Sequence, residues 1–572
     1  MKQTARVPEQ THAKGRPLLW PYSLSSVSAV LGIIATMLYF TRVVRTGIAN
    51  FKFDDALMFV RYADHVRSGY GLSWNPFGPH TFGLTSLAWF GVTLFASFLP
   101  GDPVAKLVSG SCLFGLAACL VLAYAPRAMQ RDSVSPAVLF PMVALPLMLH
   151  ADFAVSLTNG METMLAFLLI SVFVLAVQKA LAAPRNTQAL AVALLGWLVV
   201  LTRPEALLCV VAFPVCWWAL VQRRQGTQGL VGMLAVLAGL LAATLLWARL
   251  YFGTALPLPM YAKWLRGYAG YRLYLNPLAY NLYFLNMAAL PCLALACLVR
   301  RTHLRRILAF LLPLLLQCAY LFTVLQIMGW GGRYYVPYLP FLFVPALQVV
   351  AAKRPKWPVL TPRRLAALCV AGFTLNLQMS KPLAELMARR ITRNRVVFSE
   401  PVFQTQATLP LPEVEWWLSC AAFARIASVL PPGTLVSSSE VGVLGAARPD
   451  IRILDTSGLN DPAIAQHGFS AKEVMEAQPE VIWMIHPDYT RDYGELSAEP
   501  SLLQQYTLYA HALNFGVAVR KDSPYRAQLT AALEREWRVA YPGFPMDPYV
   551  TEKVRWSPQP QVGSGRFLVT QP

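Results

Sequence analysis

A chain of 572 residues has the length of three or four soluble domains. With 56% hydrophobic residues, 14% charged and a mean hydropathy of +0.45, however, an ordinary soluble protein is excluded and a membrane protein is indicated. The formal charge of +20 would suggest nucleic acid on a soluble chain, but only nine acids precede Lys381, so the first 380 residues carry +22 and the rest −2. The basicity belongs to the membrane part.

Residues 1–21 form a basic arm. Apolar runs long enough for about 30 Å of hydrocarbon recur near 22–44, 104–125, 136–153, 162–180, 188–202, 206–222, 228–250, 282–299, 307–328, 334–352 and 364–380, which makes about 11 transmembrane helices. The first reads as a signal anchor, since no small-residue cleavage site follows it. The shorter stretch Leu84–Leu99 reads as an interfacial or re-entrant helix. Counted this way, Arg127, Lys179, Arg223 and Arg300 all fall on the inner face, as the positive-inside rule requires. The same parity puts seven of the nine early acids outside, leaving Glu9 and Asp132 inside.

The first outer loop, 45–103, contains the adjacent acids Asp54 and Asp55, followed by apolar residues at 56, 59, 60 and 63 in helical spacing. A helix along the outer surface therefore begins at the Asp pair. Either acid alone reads equally as an N-cap or as a general base, but one cap does not employ two carboxylates. Tyr62 and Trp74 lie nearby, among turn residues, as aromatic contacts for a substrate or as interfacial anchors.

Farther along, Glu162 stands three residues after Asn159 at the start of the fourth span, where it reads as a capping residue or as a carboxylate that contacts the substrate. Arg203, Lys263 and Arg333 fall on the outer side, against the usual placement of cations, and an anionic partner explains that cost. Together they would hold a lipid phosphate, arginine by a bidentate fork and lysine as a point charge. The bland alternatives are pairing with Glu205 for Arg203 and snorkelling for Lys263. Arg333, which follows two glycines and precedes Tyr334, has the weakest bland explanation.

From 381 to 572 the pattern changes to an α/β domain. Candidate strands lie at 434–438, 451–455, 481–485 and 514–519, with helices near 413–429, 470–477 and 524–539. Parity puts this domain on the outer side. Glu440, Asp455, Asn460 and Asp461 are candidate acceptor contacts there, or turn and cap residues of a packed lid. Gly442-Val443-Leu444-Gly445 lacks the spacing of a dinucleotide site. The eight His are scattered and suggest no transition metal; Cys420 is the domain's one cysteine, so it holds no internal disulfide.

The run Asp54-Asp55-Ala56, Arg61-Tyr62-Ala63, Gly69-Tyr70-Gly71-Leu72, Asn75-Pro76 and Gly83-Leu84-Thr85-Ser86 resembles the first periplasmic loop of GT-C membrane glycosyltransferases. Within these it is most similar to the mycobacterial terminal (beta-1,2) arabinofuranosyltransferases. Asn159-Gly160-Met161-Glu162-Thr163, Leu201-Thr202-Arg203-Pro204-Glu205, Gly331-Gly332-Arg333-Tyr334-Tyr335 and Asp455-Thr456-Ser457-Gly458-Leu459-Asn460-Asp461 extend the resemblance. It departs where Phe82 replaces a usual Glu and where Pro257-Leu258-Pro259 replaces Pro-Asn-Thr, at positions that bear on the acceptor and the sugar.

The resemblance implies a polytopic α-helical GT-C protein with a C-terminal periplasmic α/β domain, in the bacterial inner (cytoplasmic) membrane, with its active site facing the periplasm. Asp54 and Asp55 would be the catalytic pair, and the donor a polyprenyl phosphate carrying a pentofuranose, with arabinofuranose the first choice. A carboxylate would deprotonate the acceptor hydroxyl of a cell-envelope glycan or glycoconjugate while cations stabilise the departing phosphate, by an inverting or a retaining route. No cofactor is required; two adjacent Asp would also suit a divalent cation. Both Asp54→Asn and Asp55→Asn are expected to abolish transfer. The rival class is a multi-span lipid-linked sugar transporter or flippase, but no repeat of spans is visible.

Overall fold

The structure, a computed structural model, describes residues 20–129, 135–182, 185–222, 227–264, a few positions between 278 and 291, then 304–324, 332–350, 414–486 and 489–546. The expected spans at 282–299 and 364–380 lie largely or wholly outside these.

Apolar length dictates the membrane elements. Six described helices are long and apolar enough to cross: Ala29–Ala49 of α1 (Trp20–Ala49), most of α4 (Pro103–Met129), α7 (Thr163–Ala182), Pro204–Gln222 around α9 (Leu207–Trp217), α10 (Gln228–Phe252) and α12 (Leu304–Thr323). A seventh is a broken pair, α5 (Pro136–Leu149) and α6 (Ala151–Thr158), which meet at 90°. Of the eleven expected spans, nine fall on described residues, and six of these, or seven with the bent pair, are long and apolar enough to cross.

Local chemistry accounts for the difference at the nine described positions. Pro141 and Pro146 weaken α5 ahead of the bend at His150. The stretch expected at 334–352 opens as a 3-10 turn through Pro337 and leaves an 11-residue helix, α13 (Pro340–Val350). α8 (Asn186–Thr202) has 17 residues. As expected, the Leu84–Leu99 stretch gives a short helix, α3 (Leu87–Ser97), capped by Ser86 Oγ on the Trp89 N–H. Its 11 residues reach about 16 Å, half of what a crossing needs.

The α/β part contains a five-stranded sheet in the order β2-β1-β3-β5-β4. β1 (Leu435–Ser438), β2 (Arg452–Asp455) and β3 (Val481–Trp483) are parallel, and β4 (Tyr506–Tyr509) and β5 (Val517–Arg520) complete it antiparallel. Four strands fall on the sequence expectation; β4 was not anticipated.

This sheet is fastened to the membrane part through α2 (Asp54–Arg67). Arg61, fully buried, donates from Nε to Trp74 O (2.7 Å), from Nη1 to Gly445 O (3.3 Å) and Arg448 O (2.9 Å), and from Nη2 to Ile451 O (2.7 Å) and Asn75 Oδ1 (3.4 Å). All five guanidinium donors are met, four of them by carbonyl dipoles and none by a carboxylate. Asn75 pairs with both the N–H and the C=O of Ile453, at 2.7 and 3.1 Å. The ring nitrogens of His65 stand 2.8 Å from Ser73 O and Pro449 O.

Asp54 belongs to the same contact. Its Oδ2 accepts from the Gly442 N–H (2.6 Å) and its Oδ1 from Val443 N–H (2.7 Å), at the start of the helix Gly442–Ala447. The approach is so close that a Cβ on residue 442 would lie 1.9 Å from the Asp54 carbonyl oxygen, so only glycine fits. Burial pushes the Asp54 carboxyl up to about 6, against the two N–H bonds that favour its ionised form.

Truncating Arg61 to Met leaves buried carbonyls without donors, each worth ~1–3 kcal/mol. Arg61→Met is expected to lower the unfolding midpoint in detergent and open 414–546 to protease, and Gly442→Ala to do the same by steric conflict. Unchanged midpoints and cleavage patterns would contradict the assignment.

Candidate functional site

Successive residues at a helix start point about 100° apart. With Asp54 committed to the Gly442 turn, Asp55 is turned toward the membrane helices. Its Oδ2 stands 3.6 Å from Arg333 Nη1, with the Asp55 side chain 29% exposed and the Arg333 side chain 8%. Of the adjacent acids, Asp55 is thus the one with an accessible carboxylate.

Arg333 sits in a tight turn that Gly332 makes possible at φ +63°, with Tyr335 N–H bonded back to Gly332 O. Behind it, Arg203 ends α8, where Pro204 turns the chain into 3-10 geometry. Buried Arg203 donates to Glu162 Oε1 (3.0 Å), Glu205 Oε1 (3.1 Å) and the Arg333 carbonyl (3.2 Å). Both guanidinium groups lie over the Tyr334 ring, the Arg203 carbon 5.1 Å and the Arg333 carbon 5.2 Å from its centroid. Lys263, near the end of α11 (Leu258–Trp264), is within electrostatic reach of the Tyr334 phenol.

Asp55, Glu162, Arg203, Lys263, Arg333 and Tyr334, drawn from five separate segments, therefore meet in one place. Glu162 does not cap its helix: α7 begins at Thr163, and the preceding turn is held by Asn159, which accepts from Met161 N–H and donates to Thr163 Oγ1. Its carboxylate goes to Arg203 instead. Arg203 makes the pairing with Glu205 that the sequence offered as the alternative, and pairs with Glu162 as well.

Three acids, Asp55, Glu162 and Glu205, balance three cations. Even so, Arg203 Nε, Arg333 Nε and Glu162 Oε2 are buried without a hydrogen-bond partner among the described residues, and buried polar atoms in native proteins nearly always have one. Arg203 faces two carboxylates and supports the Arg333 backbone. Arg333 and Lys263 are less fully committed.

Other expected contacts lie elsewhere. Tyr62 is wholly buried, its hydroxyl shared with Thr81 Oγ1 (3.0 Å) and donated to Asn460 Oδ1 (3.1 Å). Trp74 is buried under the Arg61 guanidinium at 4.7 Å. Both were expected at a substrate and instead pack inside the contact that holds the sheet. Asn460 also donates to Asp455 Oδ2 (2.8 Å), whose carboxyl burial pushes up to about 6. Asp461 caps the helix Pro462–His467 by accepting from Ala463 and Ile464 N–H. These are the turn and cap roles that the sequence offered as alternatives. Glu440, half-buried, lies in the loop between β1 and Gly442, and Cys420 is within electrostatic reach of both it and Asp54. Among the described residues no group of three or more His, Cys, Asp or Glu has a metal-holding arrangement.

Sequence reasoning missed Gly442 and Arg61 as partners in one contact. The signal was available only in part: Arg61 is a cation about two helical turns after the Asp pair, but three of its five acceptors lie 384 to 390 residues away.

Residues 402–539 match a family model described as Domain of unknown function (DUF8728). No curated protein matches the chain. Among solved structures, the chain resembles the crystal structure of ArnT from Cupriavidus metallidurans bound to undecaprenyl phosphate, with a TM-score of 0.50 and 14% identity over 86% of this chain and 98% of that one. The fold is thus like that of ArnT.

Arg203→Lys supplies one point charge where three acceptors now share a planar fork. It is expected to lower the unfolding midpoint by about 1–2 degrees, the shift that about 1–2 kcal/mol gives in a protein of this size, whereas Lys263→Gln leaves the midpoint unchanged. Calorimetry in detergent distinguishes the two.

Proposed function

We propose that this chain is a polyprenyl-phosphate-dependent glycosyltransferase, moving a sugar from a lipid-phosphate donor to a cell-envelope glycan or glycoconjugate on the periplasmic side. The observation that carries the reading is the juxtaposition of accessible Asp55 with Arg333, backed by the Glu162–Arg203–Glu205 network. The likeness to a fold whose solved representative holds undecaprenyl phosphate supports the donor class.

On this reading Asp55 takes the proton of the acceptor hydroxyl as its oxygen attacks the anomeric carbon, and the donor's C–O bond to phosphate breaks. The donor phosphodiester carries one negative charge, and the departing polyprenyl phosphate gains another. Arg333 and Lys263 face that added charge, so they bind the transition state more tightly than the ground state. Arg203, already held by two acids, positions Arg333 rather than binding phosphate. Asp54 acts at one remove, by holding the sheet portion against α2. This divides the pair that the sequence treated alike. Glu162 orders Arg203; Tyr334 keeps the two arginines apart and flanks the donor. The loop carrying Glu440 is the acceptor-side candidate.

Arabinofuranose remains the proposed sugar, on sequence resemblance. Mass spectrometry of envelope glycans from a deletion strain names the missing residue; loss of a different sugar overturns that choice alone.

Purified protein given a radiolabelled polyprenyl-phosphate pentose and an envelope acceptor is expected to form labelled product. Asp55→Asn should lower turnover by about 10²–10⁴-fold, the usual worth of a general base. Arg333→Gln and Lys263→Gln should each weaken donor binding by about tenfold or more, the value of a charged hydrogen bond. A chelator should leave the rate unchanged. Translocation of intact donor across vesicles without bond cleavage would replace transfer with the flippase reading.

A further inference from the structure

A second feature lies at the far end of the helices that carry the site. α4 and α7 pack side by side, and each starts near the charged cluster: α7 one residue after Glu162, and α4 beyond α3, which packs on α2. Near their other ends they enclose an open cavity of about 410 Å³, lined by Leu120, Val121 and Tyr124 of α4 and by Val172, Leu175, Ala176 and Lys179 of α7. Lys179 is 16 residues past the start of α7, so the cavity's basic end stands about 24 Å along the helix from the cluster. That is most of a bilayer core, so the two places address opposite leaflets.

The lining is apolar apart from Tyr124 and Lys179. Leu120 and Tyr124 are exposed at 42% and 54%, so the cavity opens to the outside of the bundle rather than into its core. Lys179 is its one charged residue. Arg127 lies three residues past Tyr124, on the same face of α4, and is also exposed. Neither cation forms an ion pair among the described residues. Two uncommitted cations at the mouth of an apolar groove between parallel membrane helices make a site for an anion attached to a hydrocarbon chain.

We propose that this groove binds an anionic glycerophospholipid: the phosphate rests on Lys179 and Arg127, and one acyl chain lies between α4 and α7. Leu120 to Tyr124 and Val172 to Lys179 cover only one to two helical turns, a length that fits part of a straight acyl chain and not the bulk of a long branched polyprenyl chain. The Lys179 stem lies along the chain while its ammonium reaches the headgroup plane. The site is independent of the sugar-transfer reading and carries no reacting group.

Native mass spectrometry of the full chain, with equal phosphatidylglycerol and phosphatidylcholine added, tests this. Wild type should retain phosphatidylglycerol at least fivefold over phosphatidylcholine, and the Arg127→Gln, Lys179→Gln double variant should lose that preference. Leu175→Trp, which fills the groove and keeps both cations, should lose bound lipid of either kind, whereas Lys179→Arg should retain the preference. Equal retention of the two lipids by wild type, an undiminished preference in the double variant, stronger retention of polyprenyl phosphate, or a second copy of the chain held in place of lipid would each overturn it.

Discussion

Everything at the candidate site depends on one short turn of helix in which Asp54 and Asp55 are neighbours but point to different parts of the protein. Asp54 accepts two backbone N–H groups at the head of Gly442–Ala447, and beside it Arg61 spends all five donors, four on carbonyls and one on Asn75. Those contacts set the sheet portion against α2. They also fix the rotation of α2, and it is that rotation which leaves Asp55 facing Arg333. A helix that rotated by one residue would exchange the two acids and lose both contacts.

Electrostatics explains why the cluster persists in an apolar bundle. A buried guanidinium without partners is costly, and Arg203 avoids this with Glu162, Glu205 and a backbone carbonyl. The resulting network has equal numbers of acids and cations, so it does not need an anion for neutrality. The proposed donor phosphate is therefore met by Arg333 and Lys263, on the side where Arg203 adds support but little free charge. Arg61 is the opposite case: its hydrogen bonds all go to backbone carbonyls and the Asn75 amide, and it works as a fastener.

Much of this was legible in the sequence, for identifiable reasons. Cations against the positive-inside trend marked Arg203 and Arg333, and adjacent acids marked Asp54 and Asp55; these residues do come together, except that Asp54 turns away. Period-two patterning located β1, β2, β3 and β5. Tyr62 and Trp74 misled because a buried aromatic and a substrate-facing aromatic look the same in one dimension. Asn460 and Asp455 were ambiguous for a similar reason: Asp and Asn in turns suit both caps and ligands. The union of Arg61 with Gly445, Arg448 and Ile451 was invisible, since its acceptors are carbonyls and every residue has one. Span counting does not show where proline or a break interrupts an apolar run, as at His150 and Pro337, because hydropathy records composition but not backbone continuity.

Asp54→Asn and Asp55→Asn, measured side by side for unfolding midpoint and for single-turnover sugar transfer in the same preparations, address the central claim most directly. The account predicts that Asp55→Asn keeps the wild-type midpoint and loses transfer, while Asp54→Asn lowers the midpoint and loses transfer only in proportion to the protein that has come apart. A stable, fully folded Asp54→Asn protein without transfer, paired with an active Asp55→Asn, would contradict it.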